Sequence, residues 1–186
     1  MIEALAVTFF PVAFLAVLFT GGQMLRRRQI DVDGDVPIGR KLFYASKYLI
    51  VVVWTAMVLD SWGVRVSFFD APASIKRLAL GVWVLGFVLM FIGRFGLGNS
   101  FRIGSPKEST RLRVDGLFRV SRNPMYLGVY ATLLATVLRT WNPVLLLVAA
   151  FIAAVHHRIV LAEETHLRCA FGEEYGEYCS RVRRYL

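Results

Sequence analysis

Two short stretches of this 186-residue chain hold residue types that do chemistry at useful spacings. In the first, 122-RNPMYLG-128, an arginine and an asparagine directly precede a proline and an apolar run. Asn123 suits a helix N-cap, and Pro124 suits the first helical position, where its missing N–H costs nothing. A helix started in this way presents unpaired N–H groups and the positive end of its dipole, which suits an anionic ligand group such as a carboxylate. Arg122 adds a full charge beside that end, and Met125 and Tyr126 form the first turn. The same run also reads as a capped membrane-entry helix with Tyr126 in the interfacial belt. The second stretch, residues 156–186, carries His157, Arg158, Glu163 and Glu164 where another apolar run turns polar. Ionisable residues at that depth are functional candidates. A carboxylate there suits a cationic or hydroxyl-bearing ligand, an arginine suits an anion, and a histidine suits a proton in transfer. Arg158 stands five positions before Glu163, only roughly on its face of a helix, since positions three to four apart align best. The alternative is an amphipathic surface helix that turns Leu167, Phe171, Tyr175 and Tyr178 toward the body of the protein or the lipid.

Other motifs carry less. His156 and His157 are adjacent and point to different sides of a helix, so with His166 they are not expected to bind a metal. Gly96-Leu97-Gly98 follows an apolar helix and not a strand, which favours close helix packing over a nucleotide loop. The acidic stretch 31-DVDGDVPIG-39 lacks the later glutamate of a calcium loop and reads as a solvated turn. Cys169 and Cys179 show neither a disulfide framework nor a zinc spacing.

The elements that must position these residues are membrane helices. The chain is 56% apolar and 13% aromatic, with a mean hydropathy of +0.55, too apolar for a soluble domain of this length. Its formal charge of +9 therefore points to an anionic membrane surface, and no nucleic-acid partner is expected. In lipid each apolar run must be helical to satisfy its own backbone. Five spans are expected, over about 2–25, 42–69, 78–95, 125–138 and 144–161, followed by a cytoplasmic tail over 163–186. The chain is thus expected to be all-α, a single polytopic membrane bundle with a cytoplasmic C-terminal helix, its fourth and fifth spans joined as a tight hairpin. Lys and Arg crowd the first and third loops and the tail, while the fourth loop holds only Arg139. That bias places the N-terminus outside, and the C-terminus and the polar stretches in the cytoplasm. Gly81, Gly86 and Gly93 suit packing against a neighbouring helix of the same chain or of a partner.

Together the two stretches resemble the isoprenylcysteine carboxyl methyltransferase and phospholipid methyltransferase superfamily of membrane enzymes. The resemblance runs from Gly98 onward and rests on Leu112, Gly116, the run Arg122 to Tyr126 and Gly128. It continues with Glu163-Glu164, Leu167, Phe171-Gly172, Tyr175, Tyr178 and Val182. It implies a bundle of about five membrane helices that binds S-adenosylmethionine and methylates a membrane-embedded or amphiphilic acceptor. Carried over residue by residue, the cofactor contacts would fall on Thr110, Arg111, Leu112, Arg113, Gly116, Phe118, Arg122, Asn123, Pro124, Met125, Tyr126, Glu163 and Glu164. Asn123 and Phe118 stand where the prenylcysteine enzymes have histidine and tyrosine, which keeps a cofactor pocket but points away from that substrate. Ile159 occupies the position of their substrate-contacting arginine, and the nearest arginine is Arg158. On this reading Asn123 and the neighbouring N–H groups hold the cofactor carboxylate, and Glu163 its positive or hydroxyl-bearing part. Arg158 orients an anionic acceptor, or His157 takes a proton from a neutral one. The competing readings are a nicotinamide-dependent membrane reductase of the sterol type, and a non-catalytic scaffold whose basic loops engage anionic lipid heads.

Overall fold

The computed structural model describes residues 1–27, 38–97 and 112–186. Most of the acidic stretch, Gly98, Thr110 and Arg111 lie outside the described residues. Five α-helices follow in order, α1 (Ile2–Arg27), α2 (Arg40–Ser61), α3 (Ala73–Leu97), α4 (Pro124–Thr140) and α5 (Pro143–Arg181), with a 3-10 turn over Gly116–Arg119 and no strand among the described residues. The fold is an all-α membrane bundle, as expected. Helices α1, α2, α3 and α5 are long and apolar enough to cross a bilayer. Helix α4, with 17 residues, spans only about 25 Å at 1.5 Å per residue, short of a hydrocarbon core of about 30 Å.

Three boundaries differ from those expected. Helix α2 stops at Ser61 and does not run to Phe69. Gly63 turns the chain in the left-handed region at φ 85°, and Ser67 donates to the Asp60 carboxylate at 2.6 Å. Apolar composition does not separate a helix from a loop that lies along the bundle. Helix α3 starts at Ala73, just after Pro72, a residue that ends one segment and allows the next to begin. The helix of the fifth span runs past 163, where the tail was expected to begin, as far as Gly172, and a second helical segment follows to Arg181. Between them Gly172 turns the chain sharply at φ 51° and ψ −121°, a conformation open to glycine and strained for other residues. The segment after Gly172 therefore folds back along the one before it.

The core joins Phe14 of α1, Trp54 and Met57 of α2, Trp83, Phe87 and Met90 of α3, Leu133 of α4 and Ile152 of α5. Each buried indole N–H is satisfied, as a lipid-facing fold requires. Trp54 donates to the Thr132 hydroxyl at 3.0 Å, and Trp83 to the Val7 carbonyl at 3.3 Å. Helices α3 and α4 cross on glycines of the same chain. A Cβ on Gly128 would lie 2.5 Å from both the Gly86 carbonyl oxygen and Met90 Cγ, and one on Gly93 would lie 2.6 Å from Met125 Cγ. Gly81, by contrast, has open space beside it. Since a carbonyl cannot turn aside, Gly128→Ala should force α4 off α3 and cost about 1–3 kcal/mol. A melting temperature within a degree of wild type would show that the crossing is looser than this.

At the other end of the bundle Arg139 is a buried residue of α4 and not a loop charge. Its guanidinium donates to Asp60 at 2.9 Å and also pairs with Glu3. Asn142 caps α5 by accepting from the N–H groups of Val144 at 2.9 Å and Leu145 at 3.3 Å. Trp141, in the left-handed region, closes the expected tight hairpin.

Candidate functional site

The two chemistry-bearing stretches meet at the end of the bundle where α4 begins. Asn123 takes the N-cap position and Pro124 the first helical position, but the Asn123 side chain makes no cap. It donates instead to the carbonyl of Arg184 at 3.1 Å and to Glu164 at 3.4 Å. A long-range partner has displaced the local one, leaving the first turn of α4 without a side-chain cap.

Glu164 is the hub of this end. It is 8% exposed and receives Arg184 through Nε at 3.1 Å and through a second nitrogen at 2.9 Å. Arg122 approaches the same carboxylate at 3.4 Å, and its guanidinium also contacts Cys179 Sγ. Bidentate pairing of this kind is specific in geometry as well as strong. Hydrogen bonding to Glu164 raises the Arg184 pKa above its ordinary value. The last residues thus form a strap across the start of α4, in which the Arg122 N–H donates to the Arg183 carbonyl at 3.0 Å and Ser121 to the Arg184 carbonyl at 3.3 Å. Tyr185 ends the strap beside His157 Nδ1, at 2.8 Å, and the Tyr130 hydroxyl, at 3.3 Å. Burial raises the Tyr185 pKa, which keeps its hydroxyl proton in place.

Glu163, one position away, belongs to a different cluster. Its Oε1 accepts from the Tyr126 hydroxyl at 3.0 Å, and no described residue donates to its other oxygen. The Tyr126 ring lies 5.7 Å from the His156 ring. His156 Nδ1 faces the Ile152 carbonyl at 2.9 Å. A carbonyl only accepts, so Nδ1 carries the proton and Nε2 presents a lone pair, 3.5 Å from the Lys47 ammonium. Lys47 also lies over the rings of Phe43, at 5.0 Å, and Tyr126, at 5.9 Å.

The remaining expected site residues have various fates. Leu112 packs on Tyr175, Tyr178 and Val182. Phe118 is buried, and its carbonyl accepts from Tyr178 at 2.6 Å, so both anchor the loop to the returning tail. Gly116 opens the 3-10 turn with φ 59°, and Arg113 is exposed. Met125 lies under Gly93 of α3. Arg158 is exposed and bonds to no described residue, so it does not join either cluster. Ile159 is fully buried against Phe43.

Sequence reasoning missed Lys47, Tyr130, Arg184 and Tyr185, and weighed His156 only as a metal ligand. Lys47 had a signal, as the one charge between Leu42 and Leu59. The strap had none, since only the reversal at Gly172 brings it to α4.

Among known proteins, the family model for phospholipid methyltransferase matches residues 74–174. No curated protein matches the chain. The matched segment takes in α3, the crossing of α3 with α4, the Arg122 to Tyr126 run and both glutamates. With more than half of its length inside that match, the chain belongs to the phospholipid methyltransferase family, a family of membrane methyltransferases.

Proposed function

We propose that the protein transfers a methyl group from S-adenosylmethionine to an amphiphilic acceptor that reaches the site from the bilayer. The observation that supports this best is the convergence of Arg122, Asn123 and Tyr126 with Glu163 and Glu164, two segments far apart in sequence. The residues fit the cofactor. Arg122 Nε is buried with no hydrogen-bond partner among the described residues, and the first turn of α4 lacks a side-chain cap. Both suit a carboxylate. The open oxygen of Glu163 suits an ammonium or a ribose hydroxyl.

When bound, S-adenosylmethionine supplies a methyl group already activated on a sulfonium sulfur. The protein's task is then chiefly to position the two reactants and exclude water. Glu163 and the start of α4 fix the donor, and His157 is placed to take a proton from a neutral acceptor. Arg158 is exposed and joins neither cluster. The Lys and Arg bias of the loops puts this end in the cytoplasm, with the N-terminus outside.

Calorimetry on the detergent-purified protein tests the reading. S-adenosylmethionine and S-adenosylhomocysteine should bind in the micromolar range, and Glu163→Ala should weaken both about tenfold or more. A reduced nicotinamide cofactor should not bind. Nicotinamide binding without S-adenosylhomocysteine binding would favour a reductase, and a folded sample that binds neither would favour a scaffold.

A further inference from the structure

Lys47 lies outside the segment matched to the family and outside both stretches first singled out, yet it reaches the Glu163 cluster. It is partly buried, and every group it touches is uncharged. His156 offers only a lone pair, since its proton is committed to the Ile152 carbonyl. Phe43 and Tyr126 offer ring faces. No described carboxylate comes within ion-pair distance of it; Glu163 acts on it only from beyond that distance and gives one of its oxygens to Tyr126. Buried charges are normally paired, because water no longer solvates them. Here the protein provides a cradle of aromatic faces and one neutral acceptor, which aims the ammonium without neutralising it.

We propose that Lys47, aimed by His156, determines the acceptor's specificity by binding an anionic group, a carboxylate or a phosphate, on an amphiphile. This rests on the methyl-transfer reading. With Glu163 facing the cationic part of the donor, Lys47 is the charge left for the acceptor. An alkylammonium head without an anionic group would be repelled from the same place. Lys47 sits in α2 and its partner in α5, both long and apolar enough to cross a bilayer, so an acceptor held there can keep its tail in the lipid.

Three probes with one tail test this on the full-length protein in zwitterionic nanodiscs saturated with S-adenosylhomocysteine. They are dodecanoate, dodecyl phosphate and dodecylammonium, titrated calorimetrically. The wild type should bind at least one of the two anions about tenfold more tightly than the ammonium, the worth of one charge-assisted hydrogen bond. Lys47→Met should lose that preference, with S-adenosylhomocysteine affinity held within about twofold, and Lys47→Arg should keep it. Tighter dodecanoate identifies a carboxylate acceptor, and tighter dodecyl phosphate a phosphate-bearing head. Equal binding of all three by the wild type, or an anion preference that survives in Lys47→Met, overturns the proposal. Should Lys47→Met fail to fold, His156→Leu decides, because it removes the acceptor that aims the ammonium and should weaken the same preference. A folded wild type that binds no S-adenosylhomocysteine defeats the methyl-transfer reading instead, and the probe series without it then decides the anion site alone.

Discussion

Arg139→Leu should destabilise the bundle by about 3–5 kcal/mol, the usual cost of removing one partner from a buried ion pair. The loss arises less from the missing attraction than from what remains. Asp60 would stay almost fully buried with a charge that, among the described residues, only the Ser67 hydroxyl answers. Glu3 is half exposed and loses less, since solvent screens it. The same corner holds the loop after α2, through the Phe68 N–H to Thr140 carbonyl bond at 3.2 Å and the Asn142 amide to Val66 carbonyl bond at 2.9 Å. It should loosen with the pair. Thermal unfolding in detergent measures the effect, and Arg139→Leu combined with Asp60→Leu should recover much of the loss. A double variant as unstable as the sum of the two single ones would show that the pair is not coupled.

The adjacent glutamates should fail in different ways. Glu164→Gln keeps the shape of the side chain but leaves Arg122 and Arg184 without their shared counter-charge, so the strap should detach from the start of α4. Trypsin should then cut after Arg183 and Arg184 in the variant sooner than in the wild type, and the melting temperature should fall by several degrees, as about 2–4 kcal/mol would require. Glu163→Gln should leave the fold and the trypsin pattern unchanged, because Tyr126 can still donate to the amide oxygen. Its methyl-transfer kcat/KM should drop by about 10- to 100-fold, the worth of one hydrogen bond to a charged group. The assignment of structure to Glu164 and chemistry to Glu163 would be sunk by the reverse pattern, an intact strap in Glu164→Gln and an unfolding Glu163→Gln.

Much of this was readable in the residues. Runs of apolar side chains long enough to cross lipid have one backbone solution, so the all-helical bundle, the tight hairpin between the fourth and fifth spans and the start of α4 at Pro124 follow from composition and local preference. The Arg122 to Tyr126 run and the glutamate pair are also local signals, and the match over residues 74–174 bears out the family they suggested.

Local sequence does not specify which distant group a polar side chain meets. Asn123 has a good capping side chain, but two partners more than 40 residues away offered it better bonds. Arg139 looks like a loop charge until Asp60 and Glu3 are seen to surround it. Arg158 has the chemistry for an anion but faces outward, while Lys47 reaches His156 across 109 residues of sequence. One glycine, Gly172, turns the tail back so that Glu164, Arg184 and Tyr185 meet the start of α4. Helix period and hydropathy set what each segment is, because those terms are summed over neighbours along the chain. Which charges are paired, and which one is left for a ligand, depends on distances across the bundle, and packing alone sets those.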